Sequence, residues 1–104
     1  MIVMKFGGTS VGSAERINDV AQLVKSYQNS KPVVVTSAMT QITNQLEDMA
    51  RLATTGNRKR VIAAKLAALK SAHNQAISGL GLEPSAEAAL RAIIDDKTAK
   101  LGNI

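Results

Sequence analysis

The run Lys5-Phe6-Gly7-Gly8-Thr9-Ser10-Val11-Gly12 lies between a short apolar stretch, Met1 to Met4, and a helical pattern that starts near Ser13. That order makes it a strand-to-helix turn. Its glycines let backbone approach a ligand closely, and Thr9, Ser10 and the neighbouring N–H groups can donate to anionic oxygens at a helix N-terminus. Lys5 adds a full positive charge. The residue types are those of a phosphate cradle.

Two better-known phosphate loops are excluded by spacing. A P-loop needs G-x-x-x-x-G-K-[ST]; Gly7 and Gly12 have the glycine spacing, but Ser13-Ala14 stand where Lys-[ST] belongs, and the lysine precedes the glycines. The Rossmann fingerprint needs glycine two residues after the first, where this chain has Thr9.

The flanking pattern predicts alternating strands and helices. Ile2 to Phe6 is short, apolar and β-branched, which predicts a strand buried on both faces. Ile17, Val20, Ala21 and Val24 recur at helical spacing between Ser13 and Tyr27, with Ser13 as N-cap and Glu15 in the first turn. Asn29-Ser30-Lys31-Pro32 ends that helix, and Val33-Val34-Val35 gives a second buried strand. The result is a βαβ unit with parallel strands and a right-handed crossover. Ligands of open parallel sheets bind beyond the carboxyl ends of the strands, so Gly7–Gly12 and Ser37–Asn44 should face one crevice.

Further on, Leu46, Met49, Ala50 and Ala53 make a helical stripe from about Thr43, closed by Gly56-Asn57. An alanine-rich helix follows from about Arg58 to Ser78, with Ile62, Leu66, Leu69, His73 and Ile77 on one side, and Gly79 and Gly81 break it. Pro84-Ser85 opens a last helix with Leu90, Ile93, Ile94 and Leu101 as its stripe. No internal repeat or low-complexity tract interrupts this order.

Residue for residue, K-F-G-G-T-S-V resembles the amino-terminal signature of the aspartate kinases, within the wider amino acid kinase family. A second block, Val33-Val34-Val35-Thr36-Ser37-Ala38-Met39-Thr40-Gln41-Ile42-Thr43-Asn44, is similar to that family's second strand and its S-A-x-x-G-[IV]-T-[ND] substrate loop. The specific resemblance covers roughly residues 1 to 55. It implies a three-layer α/β/α fold with parallel strands, of the carbamate kinase type, and transfer of the γ-phosphate of ATP to the side-chain carboxylate of L-aspartate. The product would be 4-phospho-L-aspartate, at the entry to lysine, threonine and methionine synthesis.

The same resemblance implies roles for individual residues. Lys5 would neutralise charge on the transferring phosphoryl group, where positioning and electrostatics supply nearly all the catalysis. Gly7, Gly8, Thr9 and Ser10 would contact the ATP phosphates, and Ser37, Ala38, Thr43 and Asn44 the amino acid. Mg²⁺ is implied by the nucleotide, although no carboxylate ligand for it stands out. Gln41 departs from the pattern by standing where the family usually has glycine, which bears on a φ > 0 turn and on room for substrate.

At 104 residues the chain holds at most one domain. Amino acid kinase domains are much longer, so the resemblance implies the amino-terminal portion of such a domain. The nucleotide-binding half, the catalytic aspartate and any regulatory domains would lie beyond Ile104, and the isolated chain is then expected to be inactive. A two-stranded parallel sheet is also a poor free-standing core, so Val33 to Val35 are expected to require further strands.

Composition narrows the alternatives. Hydrophobic residues at 45% and charged residues at 20% fit a globular protein, and aromatics at 2% argue against base-stacking nucleic-acid modules. Part of the net charge of +5 is the cluster Arg58-Lys59-Arg60, read as a solvated helix start. With no cysteine and His73 as the one histidine, thiolate and clustered-histidine metal sites are excluded. His73 reads as structural, and Asp95-Asp96 as solvated, since adjacent helix positions point about 100° apart. No apolar run approaches the roughly 18 residues of a membrane span, and the start lacks a charged signal-peptide region; a cytosolic protein without membrane or nucleic-acid partners is expected, homo-oligomeric in its full-length form. The rival readings are another amino acid kinase, or a non-catalytic anion-binding or subunit-interaction module.

Overall fold

The computed structural model describes residues 1–56 and 59–103, in the order β1 (Ile2–Phe6), α1 (Ala14–Ser26), β2 (Pro32–Thr36), α2 (Ile42–Thr54), α3 (Lys59–Gly79) and α4 (Pro84–Gly102). Asn57 of the Gly56-Asn57 break and Arg58, the expected helix start within the basic cluster, lie outside the described residues. The chain divides into two compact units, Met1–Thr43 and Asn44–Ile104. No helix among the described residues is long and apolar enough to cross a membrane.

The first unit is the βαβ unit read from the sequence. β1 and β2 pair in parallel, with Ile2 opposite Pro32, Lys5 opposite Val35 and Phe6 opposite Thr36. A 3-10 turn over Gly8–Val11 carries the chain from β1 into α1. Ser13 caps α1, its side-chain oxygen accepting from the Arg16 N–H at 3.3 Å, and Glu15 lies in the first turn where the helix dipole favours an anion. After α1 a short 3-10 turn ends at Lys31, whose φ of 50° turns the chain into β2.

The strands are less buried than their composition predicts. In β1, Ile2, Met4 and Phe6 are half-buried while Val3 and Lys5 are exposed, and in β2 Val33, Val34 and Val35 are 46%, 42% and 47% exposed. Neither strand is buried on both faces. Side chains alternate across a strand, and Phe6 shares a cleft of about 220 Å³ with Val20 and Leu23 of α1. The opposite face, carrying Val3, Lys5, Val33 and Val35, is open. Along α1, Ile17, Val20 and Val24 are half-buried as the spacing predicts, but Ala21 is exposed.

The second unit is built on the antiparallel pair α3 and α4. Leu69, Ala76 and Ile77 of α3 are buried, with Ile62, Leu66 and His73 half-buried beside them. His73 Nδ1 lies 2.8 Å from the Leu69 carbonyl, the structural role expected of it. Gly81, at φ 66°, turns the chain toward Pro84 at the start of α4. Asp95 pairs with Lys70 of α3 at 2.9 Å, whereas Asp96 pairs with Lys100 one turn along α4 at 3.1 Å, so the two carboxylates diverge.

Two helix faces differ from those predicted. In α2, Ile42 and Met49 are buried and Gln45 and Leu52 half-buried, while Leu46, Ala50 and Ala53 are exposed. The helix begins at Ile42, and the stripe that includes this large side chain lies to one side of the alanines. In α4, Ile94 and Leu101 are half-buried with Arg91 and Thr98, but Leu90 and Ile93 are 37% and 51% exposed. Ile93 sits about 100° round the helix from Ile94, so both cannot face α3.

Candidate functional site

The site candidates in the first unit gather at the carboxyl ends of its two strands. Lys5 is the penultimate residue of β1, exposed on the open sheet face beside Val35. The chain then enters the glycine turn, whose first bond runs from the Ser10 N–H to the Gly7 carbonyl at 3.1 Å. The N–H groups of Gly8 and Thr9 precede that bond and have no acceptor within the turn. Thr9 is exposed. A Cβ placed on Gly7 would meet nothing within 4 Å, which leaves open space against its backbone.

The second loop packs directly against this turn. Ser37 donates its backbone N–H to the Phe6 carbonyl at 3.0 Å, and a Cβ on Gly8 would come within 3.3 Å of the Ala38 carbonyl oxygen and 3.7 Å of Ser37 Oγ. Thr40 Oγ1 donates to the Gly8 carbonyl at 3.0 Å. The two motifs therefore touch, as strand-end loops of one parallel sheet should. Thr40 is the residue that sequence reasoning misses, because a threonine within a loop carries no periodicity. Its one indirect signal is Gly12, a glycine with an ordinary φ of −78°.

Not all the candidates share one surface. Ser10 is half-buried and lines the cleft on the α1 side with Phe6, Arg16, Asp19, Val20 and Leu23, the side away from Lys5. Ser37 and Ala38 are exposed next to the glycine turn. Thr43 is exposed in the first turn of α2, and Asn44, the next residue, opens the second unit. Gln41 adopts φ 69°, the left-handed region that glycine occupies without strain, just where the motif calls for glycine.

To the parallel strand pair, whose glycine turn and Ser-Ala loop meet at the strand ends, is added a sequence match that runs well beyond it: the amino acid kinase family model matches residues 1–102. The chain belongs to the amino acid kinase family. Among its relatives, the chloroplastic aspartokinase 3 of Arabidopsis thaliana is 61% identical over 44 residues, covering 42% of this chain and 8% of that protein. The chloroplastic aspartokinase 2 of the same plant is 42% identical over 82 residues, 78% of this chain and 15% of that one. An aspartate kinase of Pseudomonas fluorescens is 55% identical over 53 residues, 49% of this chain and 13% of its own length. The chain thus spans a small fraction of the length of these relatives.

Proposed function

We propose that this chain supplies the amino-terminal part of an aspartate kinase domain, a phosphotransferase that moves the γ-phosphate of ATP to the side-chain carboxylate of L-aspartate. The observation that carries this reading is the contact between the two strand-end loops, with Lys5 beside it. In this reading Lys5 and the N–H groups of Gly7, Gly8 and Thr9 hold phosphate oxygens, with Ser10 completing the turn. Ser37 and Ala38 face the amino acid, and the resemblance alone assigns Thr43 and Asn44 to the same substrate. The relatives' names support aspartate as the acceptor. Cytosolic location and homo-oligomeric assembly belong to the same proposal.

The fit to Mg²⁺ differs from the fit to phosphate. Among the described residues no group of three or more Asp, Glu, His or Cys could hold a metal ion, so these residues provide no metal cage and Mg²⁺ would travel on the nucleotide. What the chain offers phosphate is one cation and a set of backbone donors around glycines, and a Cβ on Gly8 would crowd that turn against Ala38.

Calorimetric titration of the 104-residue chain with ATP·Mg²⁺, and separately with aspartate, tests the reading when run beside Lys5→Ala. Loss of one charge-assisted contact should weaken nucleotide binding roughly tenfold to a hundredfold. Equal affinity in both proteins removes Lys5 from the site. A phosphoryl-transfer assay on the same samples is expected to show no turnover; aspartate-dependent turnover would show that these loops need no further catalytic group.

A further inference from the structure

We propose that Thr40 is a positioning residue that aims the Thr9 N–H at a bound anion and makes the glycine turn and the Ser37–Gln41 segment respond to it together. The inference rests on the glycine turn being the phosphate contact. Its starting point is the bond from Thr40 Oγ1 to the Gly8 carbonyl, 3.0 Å across 32 positions of sequence. The side-chain bonds of Ser13, Ser26 and Thr36 in the same unit stay within three residues of their own. Thr40 is thus a tie between loops, where its neighbours serve their own helix or strand.

The Gly8 carbonyl and the Thr9 N–H belong to one planar peptide and point in opposite directions. Holding the carbonyl therefore sets the direction of the N–H. Such a restraint matters here because Gly7 and Gly8 place little limit of their own on φ and ψ. A hydroxyl donating to the carbonyl also polarises the peptide, which strengthens its N–H as a donor. Gly12 leaves the space that the Thr40 side chain fills: a Cβ there would overlap Thr40 Oγ1. An anion drawn to the Thr9 N–H would in turn tighten the Thr40 bond, passing its presence to the loop that holds Ser37 and Ala38.

The test compares Thr40→Val, which keeps the shape and removes the donor, with Thr40→Ser, which keeps the donor. Amide exchange and amide resonances are followed along the chain with and without ATP·Mg²⁺. Thr40→Val should speed exchange at Thr9 and Ser10, weaken ATP·Mg²⁺ roughly threefold to tenfold, and abolish the ligand-induced shifts at Ser37–Gln41. Thr40→Ser should behave as the parent, and amides of α3 and α4 should not change in either variant. Equal exchange, affinity and shifts in Thr40→Val and the parent overturn the inference while leaving the phosphate reading intact. Loss of fold in Thr40→Val would reduce Thr40 to a structural role and overturn it too. Absence of any ATP·Mg²⁺ shift at Gly7–Ser10 in the parent overturns the phosphate reading, and this inference with it.

Discussion

Thr40 occupies the space that a side chain on Gly12 would need. A Cβ on Gly12 would overlap Thr40 Oγ1 and lie 3.4 Å from both Thr40 Cβ and the Gly8 carbonyl oxygen. Since Gly12 has φ −78°, which any residue adopts, the glycine serves close packing and not a special turn. Gly12→Ala should therefore destabilise the first unit by about 1–3 kcal/mol, the usual cost of overpacking. In a Thr40→Ala background the same change should be neutral or slightly stabilising. Urea unfolding followed by fluorescence of Tyr27, the chain's one tyrosine, would report the four proteins of this cycle; simple additivity would contradict the packing argument.

Gln41 holds a left-handed backbone at φ 69°. Side chains disfavour that region by about 1–2 kcal/mol, and β-branched ones most. Stability should rank Gln41→Gly at or above the parent and Gln41→Val below it by about 1 kcal/mol or more. The same Tyr27 unfolding curves give the order. A Val variant as stable as the Gly variant would mean that the turn relaxes out of the left-handed region.

Lys5 is exposed and pairs in register with Val35 on the open face of the sheet. Nothing in the packing of the first unit depends on its ammonium group. Lys5→Ala should leave the unfolding midpoint within about 0.5 kcal/mol of the parent, as surface changes away from caps and cores do. A larger loss would show that weakened nucleotide binding in this variant reports unfolding and not a lost contact.

In the second unit, Lys70 and Asp95 join α3 to α4 at 2.9 Å, but their side chains are 44% and 57% exposed. Water and salt screen such a pair, so Asp95→Asn should cost less than about 1 kcal/mol, and less still in 1 M salt. Leu69, at 6% exposure, should cost about 2–5 kcal/mol on truncation to Ala. Helical circular dichroism during thermal unfolding separates the two. Comparable losses would place the hairpin's stability in its ion pair.

Much of this was legible in the residues themselves. Ser13 as N-cap, Pro84 at the start of α4, Gly81 at a positive φ and the parallel pairing of β1 with β2 all follow from local chemistry or from the βαβ order. Gln41 stood out only against the family pattern, and its φ gives that departure a physical meaning. Burial was less legible. Three consecutive valines read as a buried strand, yet all three are exposed, because β composition reports what a strand can bury and not what lies against it. The stripes of α2 and α4 erred for a related reason: when apolar residues surround much of a helix, periodicity does not choose among adjacent faces.

The sequence alone determined the order of elements, their caps and turns, and the two motifs that mark an amino acid kinase, since these depend on residues close to one another in the chain. Only the tertiary structure decided that Thr40 binds the Gly8 carbonyl, that Ser10 and Lys5 lie on opposite sides of the sheet, and that Ile93 is left outside. Such contacts depend on how strands pair and how far a helix is rotated, and distant residues set both.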